Sequence, residues 1–315
     1  MSERKPERKP EREPGRTPEQ MSERLGEPVA RSARTEVRKT YKLFVGGAFP
    51  RSESGRSYQV EAADGSSLAN AALASRKDAR DAVVAARGAL AGWAGATAYN
   101  RGQVLYRVAE MLEGRCAQFA AEVGAAEGLR AQAARRVVDA SIDRLVWYAG
   151  WSDKIAQVLG ASNPVAGPYF NFSVPEPTGV VAVVAPQDSS LLGLVSVLAP
   201  VIVTGNTAVV VASEARPLPS VSFAEVLATA DVPAGVVNVL TGRTAELAPV
   251  LAGHMDVDAL DLTGVAVDDR AALERLAAAN LKRVLTLDED LLQPPTTRRI
   301  RAFVEIKTVW HPVGT

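Results

Sequence analysis

Cysteine and histidine are almost missing from this sequence: one Cys, Cys116, and two His, His254 and His311, stand among 315 residues. A lone thiol excludes an intrachain disulfide, and two isolated imidazoles leave no zinc-ligand spacing. An excess of one charge is missing too. Lys+Arg and Asp+Glu are equal at 36 each, so net charge supplies no pull towards nucleic acid or an acidic membrane. No apolar run reaches the roughly 20 residues of a membrane helix. The longest, residues 191–204, is interrupted by Gly193, Ser196 and Pro200. The start of the chain is too charged for a secretory signal. The fingerprint GxGxxG is absent, which excludes an ordinary dinucleotide phosphate loop. From these absences we expect a cytoplasmic chain with no structural metal, no nucleic-acid partner and no membrane contact.

What is present is a globular composition, 47% hydrophobic and 23% charged, enough to bury one large or two modest cores. The first 40 residues stand apart. Proline recurs at 6, 10, 14 and 18 in a charged stretch with no aromatic residue before Tyr41. Such a segment cannot offset its ordering entropy, and its prolines disfavour a helix, so 1–40 reads as a disordered arm. It is a solvated tail, a tether to a partner, or a product of a start placed before the true one at Met21.

From Tyr41 the chain becomes foldable. KLFVGGAFPRSESGRSYQV reads as two strands joined by turns. Three helices follow, their apolar positions at helical spacing: Val83, Ala86, Leu90; Val104, Val108, Met111, Leu112, Phe119; and Val138, Ile142, Leu145, Tyr148, Ile155. PYFNFSVPEP alternates as a strand and ends in prolines, which suits an edge or an excursion from the main sheet. Then short strands and helices alternate: VVAVVA, a helix ending near Gly205, TAVVV, a helix after Pro217, VVNVL, a helix after Thr244, ALDL, a helix after Asp268, and RVLTL. This order predicts an α/β fold with a doubly wound, Rossmann-like parallel sheet. Pro186, Gln187, Asp188, Ser189 and Ser190 then form a turn at a strand's carboxyl end, where such sheets bind ligands.

The stretches EPTGVVAVVAPQDSS, LAPVIVTGNTAVVVASE, VPAGVVNVLTG and HMDVDALDLTG, in that order, resemble the cofactor-domain signatures of the aldehyde dehydrogenase superfamily. KLFVGGAF, SGRSY and ARGALAGW resemble its amino-terminal region, and the likeness runs from about Lys42 to about Leu287. The resemblance implies a cofactor domain over 41–290 that binds NAD(P), with Pro186, Glu214, Gly242, Thr263 and Gly264 at cofactor positions. It also implies departures. Where the family has Pro-Trp-Asn-Phe-Pro, whose asparagine donates to an oxyanion, Asp188 stands in the degenerate oxyanion position. An ionised carboxylate only accepts, and losing one such donor costs about 3 kcal/mol. In Lys-Pro-(Ser/Ala)-Glu the glutamate is kept as Glu214 and the lysine is replaced by Val211. In Phe-Thr-Gly-Ser, Thr263 and Gly264 remain and Val265 replaces the serine. Asp268 and Asp269 complement the helix dipole and compete with a bound pyrophosphate. NAD(P) affinity is therefore expected to be weakened.

Asp288 and Glu289 stand where the family's general base would be, without its glycines, and no catalytic-cysteine domain follows them before LLQPPTTRR. Cys116, in an amphipathic helix beside Arg115, reads as a packed thiol, and His254 as structural; Asp188 and Glu214 lack metal-ligand spacing. No residue is assigned as catalytic. The family also builds a small β oligomerisation subdomain from a strand excursion, here about 157–176, and from its carboxyl-terminal strand, which 300–315 resembles within a 291–315 linker and strand. Ala302, Val304, Ile306 and Thr308 alternate there with Phe303, Glu305, Lys307 and Val309. The expected function is that of a non-catalytic pseudoenzyme, joined through this strand to a full-length aldehyde dehydrogenase or to itself. The alternative is an NAD(P)-binding protein or residual aldehyde oxidoreductase.

Overall fold

The computed structural model describes residues 39–314, so the proline-spaced arm lies outside the described residues except at its end, as does Met21. Strands β1 (Thr40–Tyr41), β2 (Ser57–Glu61) and β3 (Ser67–Ala72) form a small sheet in the order β1-β3-β2. The expected first strand, around Phe44, makes only isolated bridges, Phe44 with Val239 and Val45 with Ala48. Gly46 and Gly47, at φ of 59° and 79°, turn the chain back before a strand can lengthen. β3, with the sequence SLANAA, carries no strand propensity of its own; pairing with β2 makes it a strand.

The three expected helices are five: α1 (Arg76–Gly95), α2 (Ala98–Gly114), α3 (Cys116–Glu127), α4 (Ala131–Ala149) and α5 (Ile155–Leu159). α1 opens with a capping box, in which Ser75 accepts from the Asp78 amide and Asp78 accepts from the Ser75 amide. Arg115, at φ −111° and ψ 14°, breaks the helical run between α2 and α3. Gly128, left-handed at φ 70°, ends α3.

Next come β4 (Ala161–Asn163), β5 (Tyr169–Pro177), β6 (Val180–Val184), α6 (Leu192–Val203), β7 (Thr207–Val211) and α7 (Leu218–Thr229). They are followed by β8 (Val237–Leu240), α8 (Thr244–Ala252), β9 (Ala259–Asp261), α9 (Val267–Ala277), β10 (Arg283–Leu285), α10 (Arg298–Ala302) and β11 (Val304–Pro312). The expected alternation is observed, and five strands form one parallel sheet in the order β10-β9-β6-β7-β8. β6 is apolar throughout because both faces are covered. Val181 and Val183 pack towards α6 and α7, and Val180, Ala182 and Val184 towards α1, α8 and α9. Full burial of each valine stabilises by about 1.5–3 kcal/mol relative to exposure. No helix among the described residues is long and apolar enough to cross a membrane.

β4, β5 and β11 form a separate antiparallel sheet in the order β11-β5-β4. β5 is its centre, not an edge, and β11 begins two residues later than the alternation suggests, since Ala302 closes α10. Pro175 and Pro177 lie opposite Ile306 and Val304. A proline has no N–H, so these are pairs of the non-hydrogen-bonded kind.

Two buried arginines hold the segment between β10 and β11 onto the sheet. Arg299 donates from Nη1 to Asp261 Oδ2 at 2.6 Å, from Nε to Glu289 Oε2 at 3.0 Å and from Nη2 to Thr263 Oγ1 at 3.2 Å. Arg144 of α4 donates to Ser196 Oγ at 2.6 Å and to the carbonyls of Leu291 and Gln293 at 2.8 and 2.7 Å. Burial pushes the Asp261 carboxyl upward, against the pull of Arg299 and of the Thr263 hydroxyl and amide. Removing only the cation strands a buried carboxylate. Arg299→Ala is therefore expected to lower stability by about 3–5 kcal/mol in urea unfolding at neutral pH, and the pair Arg299→Met with Asp261→Asn to recover part of that loss.

Candidate functional site

The chain adds β7 on one side of β6 and later β9 on the other, so the sheet's direction of growth reverses at β6. The crevice outside the carboxyl ends at such a reversal is where this architecture binds ligands. Two turns face it: residues 186–190 after β6, and residues 262–265 after β9. The second rests on the end of β6, where the Gly264 amide donates to the Val184 carbonyl at 3.0 Å. A Cβ at Gly264 would stand 1.9 Å from the Ala185 carbonyl oxygen, so only glycine fits. Gly242 follows β8 at φ 149°, where a Cβ would meet the Ala74 amide nitrogen at 3.2 Å; it closes a turn and lines neither cleft described below.

Gln187 staples the strand ends. Its Nε2 donates to the Ala185 carbonyl at 2.7 Å, and its Oε1 accepts from the Glu214 amide at 2.9 Å. Its own carbonyl accepts from Ser213 Oγ at 2.8 Å. Glu214 is engaged in turn: its carboxylate pairs with Arg243 and accepts from the Thr244 amide at 3.1 Å. Burial first, and then Glu214, push the Tyr58 hydroxyl upward, so it stays a neutral donor to the Glu214 carbonyl at 3.2 Å. Thr263 spends its hydroxyl on Asp261 at 2.5 Å. Asp188 is exposed at the lip, and Pro186 is buried beneath it. Gln187, Arg243 and Arg299 carry no motif, and their roles depend on partners distant in sequence.

Besides a cleft of about 700 Å³ lined by Tyr58, Glu214, Arg216 and Arg243, two clefts lined by the turns border the staple. The larger, of about 790 Å³, lies between the two turns and residues 287–292. Five carboxylates line it, those of Glu127, Asp188, Asp288, Glu289 and Asp290, and no lysine or arginine does among the described residues. The smaller, of about 390 Å³, is an apolar slot between α8 and α9, bounded by Ala245, Ala248, Pro249, Val265 and Leu273. Thr244 Oγ1, at its edge, is buried with no hydrogen-bond partner among the described residues. Asp268 and Asp269 occupy the first turn of α9. They complement the helix dipole, which otherwise would favour an anion there. The crevice therefore offers a mostly apolar slot, with Glu214 and Asp269 in its lining, beside a basin lined by carboxylates. Among the described residues no three His, Cys, Asp or Glu side chains are grouped as metal ligands.

The other sequence candidates lie apart from this arrangement. Cys116 Sγ is buried 3.9 Å from Asp139 Oδ1, burial pushes its thiol upward, and it lines neither cleft. Glu289 is held by Arg299, and Asp288 is exposed at the rim. His254 accepts from the Asp256 amide at 3.1 Å, closing the turn after α8.

Comparison with known proteins places these features in a family. The model of the aldehyde dehydrogenase family matches residues 49–287. The chain is 33% identical over 256 residues to cytosolic 10-formyltetrahydrofolate dehydrogenase of Mus musculus, covering 78% of this chain and 28% of that protein. It is 32% identical over 244 residues to an aldehyde dehydrogenase of Davidiella tassiana, covering 77% of this chain and 49% of that protein. Among solved structures, an NAD+ complex of aldehyde dehydrogenase from Bacillus cereus superposes with a TM-score of 0.72 at 27% identity, over 78% of this chain and 50% of that one. The chain thus spans half or less of the length of these relatives.

The Gln187 staple can be tested without any ligand. Gln187→Ala leaves the Glu214 amide and the Ala185 carbonyl unpaired. It is expected to cost about 1–3 kcal/mol in denaturant unfolding and to speed hydrogen exchange at the Glu214 amide selectively.

Proposed function

This chain belongs to the aldehyde dehydrogenase family, and on that premise we propose that it acts as a non-catalytic member, a structural or regulatory subunit that joins an oligomer. One observation carries this reading: apart from Thr244 and the carboxylates of Asp188, Asp269 and Asp288, the polar side chains of the crevice are committed to one another or to the strand ends. Gln187 and Glu214 bind strand ends and Arg243, Thr263 binds Asp261, and Glu289 binds Arg299. A donor, nucleophile or base left free for substrate is what acyl chemistry requires. The single cysteine of the sequence is buried away from the crevice.

The cofactor implied by the family fits only in part. The apolar slot, with Thr244 Oγ1 unpartnered and Glu214 nearby, has the chemistry for an adenosine moiety. The adjoining diphosphate does not fit. It would face the carboxylate-lined basin and Asp268 and Asp269, with Val265 where a hydroxyl is usual. The slot alone favours the second reading, an NAD(P)-binding protein with weakened affinity. The separate β11-β5-β4 sheet supports the subunit reading, with a full-length aldehyde dehydrogenase or further copies of this chain as partners.

The purified chain is expected to form no NADH from aldehydes and NAD+, and a full-length family member is expected to co-purify with it or the chain to self-associate. Aldehyde-dependent NADH formation by the chain alone would overturn the non-catalytic reading. Calorimetry probes the diphosphate argument separately. Asp268→Asn with Asp269→Asn removes two anions that compete with the diphosphate for the α9 dipole, an interaction of about 0.3–1 kcal/mol per charge, and should tighten NAD+ binding about 3- to 30-fold.

A further inference from the structure

We propose that the cavity between α4 and the segment joining β10 to α10 binds a small oxyanion, inorganic phosphate or a short carboxylate, which clasps that segment to the fold. The cavity has a volume of about 190 Å³. Its walls are Arg144 and Tyr148 of α4, Ser196 of α6, and residues between 289 and 299. Pockets for drug-sized ligands hold about 300–1,000 Å³, so the occupant here is an ion or a molecule of few atoms.

Three guanidinium groups and two carboxylates line the cavity, and the way they pair leaves positive charge unmet. Arg299 is answered by Asp261 and Glu289. The Asp290 carboxylate accepts from the Leu292 amide at 2.9 Å and from Gln293 Nε2 at 3.2 Å. Arg144 and Arg298 form no ion pair among the described residues. Arg144 is only 7% exposed, and its two Nη groups donate to the Ser196 hydroxyl and to the carbonyls of Leu291 and Gln293. Those acceptors are neutral. They satisfy hydrogen bonds and leave a buried charge without a counter-ion, an arrangement that costs free energy until an anion meets it. Burial accordingly pushes the Arg144 guanidinium downward.

A second donor is unspent in the same wall. Tyr148, one helical turn from Arg144, is 2% exposed, and its hydroxyl has no hydrogen-bond partner among the described residues. Burial raises its pKa to about 12 against the pull of Arg299 and Arg144, so at neutral pH it is an O–H donor. Arg144 Nε is likewise without a partner there. Water would meet the hydroxyl and leave the charge; an oxyanion meets both, with Arg298 at the rim as a further cation. Residues 289–291 line this cavity and the acidic basin of the crevice alike, so an anion that ties the segment to α4 also steadies one wall of the basin.

The test titrates the full chain with potassium phosphate and, separately, with potassium acetate, each against potassium chloride of equal ionic strength. The melting temperature is expected to rise saturably with phosphate, acetate or both, beyond the effect of chloride. Hydrogen exchange at the Gln293 amide, which donates to the Asp290 carbonyl at 3.0 Å, is expected to slow with the same anion. Tyr148→Phe removes a hydroxyl that nothing in the protein holds. It should leave the melting temperature in chloride unchanged and weaken binding of the oxyanion, by calorimetry, about 10- to 100-fold. Arg298→Gln, at an exposed position, should also weaken binding with the melting temperature in chloride unchanged.

Saturation by phosphate alone assigns a tetrahedral ligand and by acetate alone a planar one, and either supports the site. No saturable rise beyond chloride overturns it, since water then suffices for the cavity. Binding that Tyr148→Phe leaves as tight as before overturns it too, because the anion then sits elsewhere. A melting temperature that falls in Tyr148→Phe without any oxyanion overturns the premise that the hydroxyl is free.

Discussion

The pair formed by Arg299 and Asp261 is the contact on which the rest of the structure depends. Asp261 ends β9 beneath the crevice, and Arg299 begins the path to β11. A charge can be buried there only if it is met, and each of the two is the other's main partner. Through Thr263 and Glu289 the same guanidinium reaches the turn after β9 and the acidic segment after β10. The crevice lip, the connecting segment and the outlying sheet are therefore fixed together. The crevice keeps a family shape while its polar groups serve cohesion.

This division of labour explains why an apolar slot stands beside side chains that bind one another. The apolar walls between α8 and α9 are core packing and persist because the sheet needs them covered. The polar positions are free of that demand. Gln187 in the turn and Arg243 beside Glu214 use theirs to bind the strand ends to one another, which suits a rigid body better than a site that must accept and release a ligand.

Much of the fold was legible in the sequence. Val180–Val184 and Thr207–Val211 are short, apolar on both faces and separated by helical lengths, and only a covered parallel sheet satisfies that pattern. β3 was not legible, because alanine and asparagine become strand only beside β2. The break at Arg115 was hidden because the apolar spacing continues across it. In the crevice, Gly264, Glu214 and Asp188 line the clefts as their motifs suggest, whereas Gly242, read in the same way, lines neither. Arg299 could not, because a buried arginine looks like any surface arginine until Asp261, 38 residues away, is brought beneath it. The Gln187 staple was hidden for the same reason, its second partner being Glu214.

The pairing of β5 with β11 also imposes a schedule on synthesis. Glu176 and Lys307, joined across the two strands, are 131 residues apart. At translation rates of about 5–20 residues per second, β5 waits roughly 7–26 s on the ribosome before its companion emerges. The parallel sheet is synthesised during that interval, while Phe170 and Phe172 stand in a strand with only β4 beside it. β11 thus closes an edge of β5 that stands open through that interval, and the nascent chain has a window in which a chaperone, or the wrong strand, can reach β5 first.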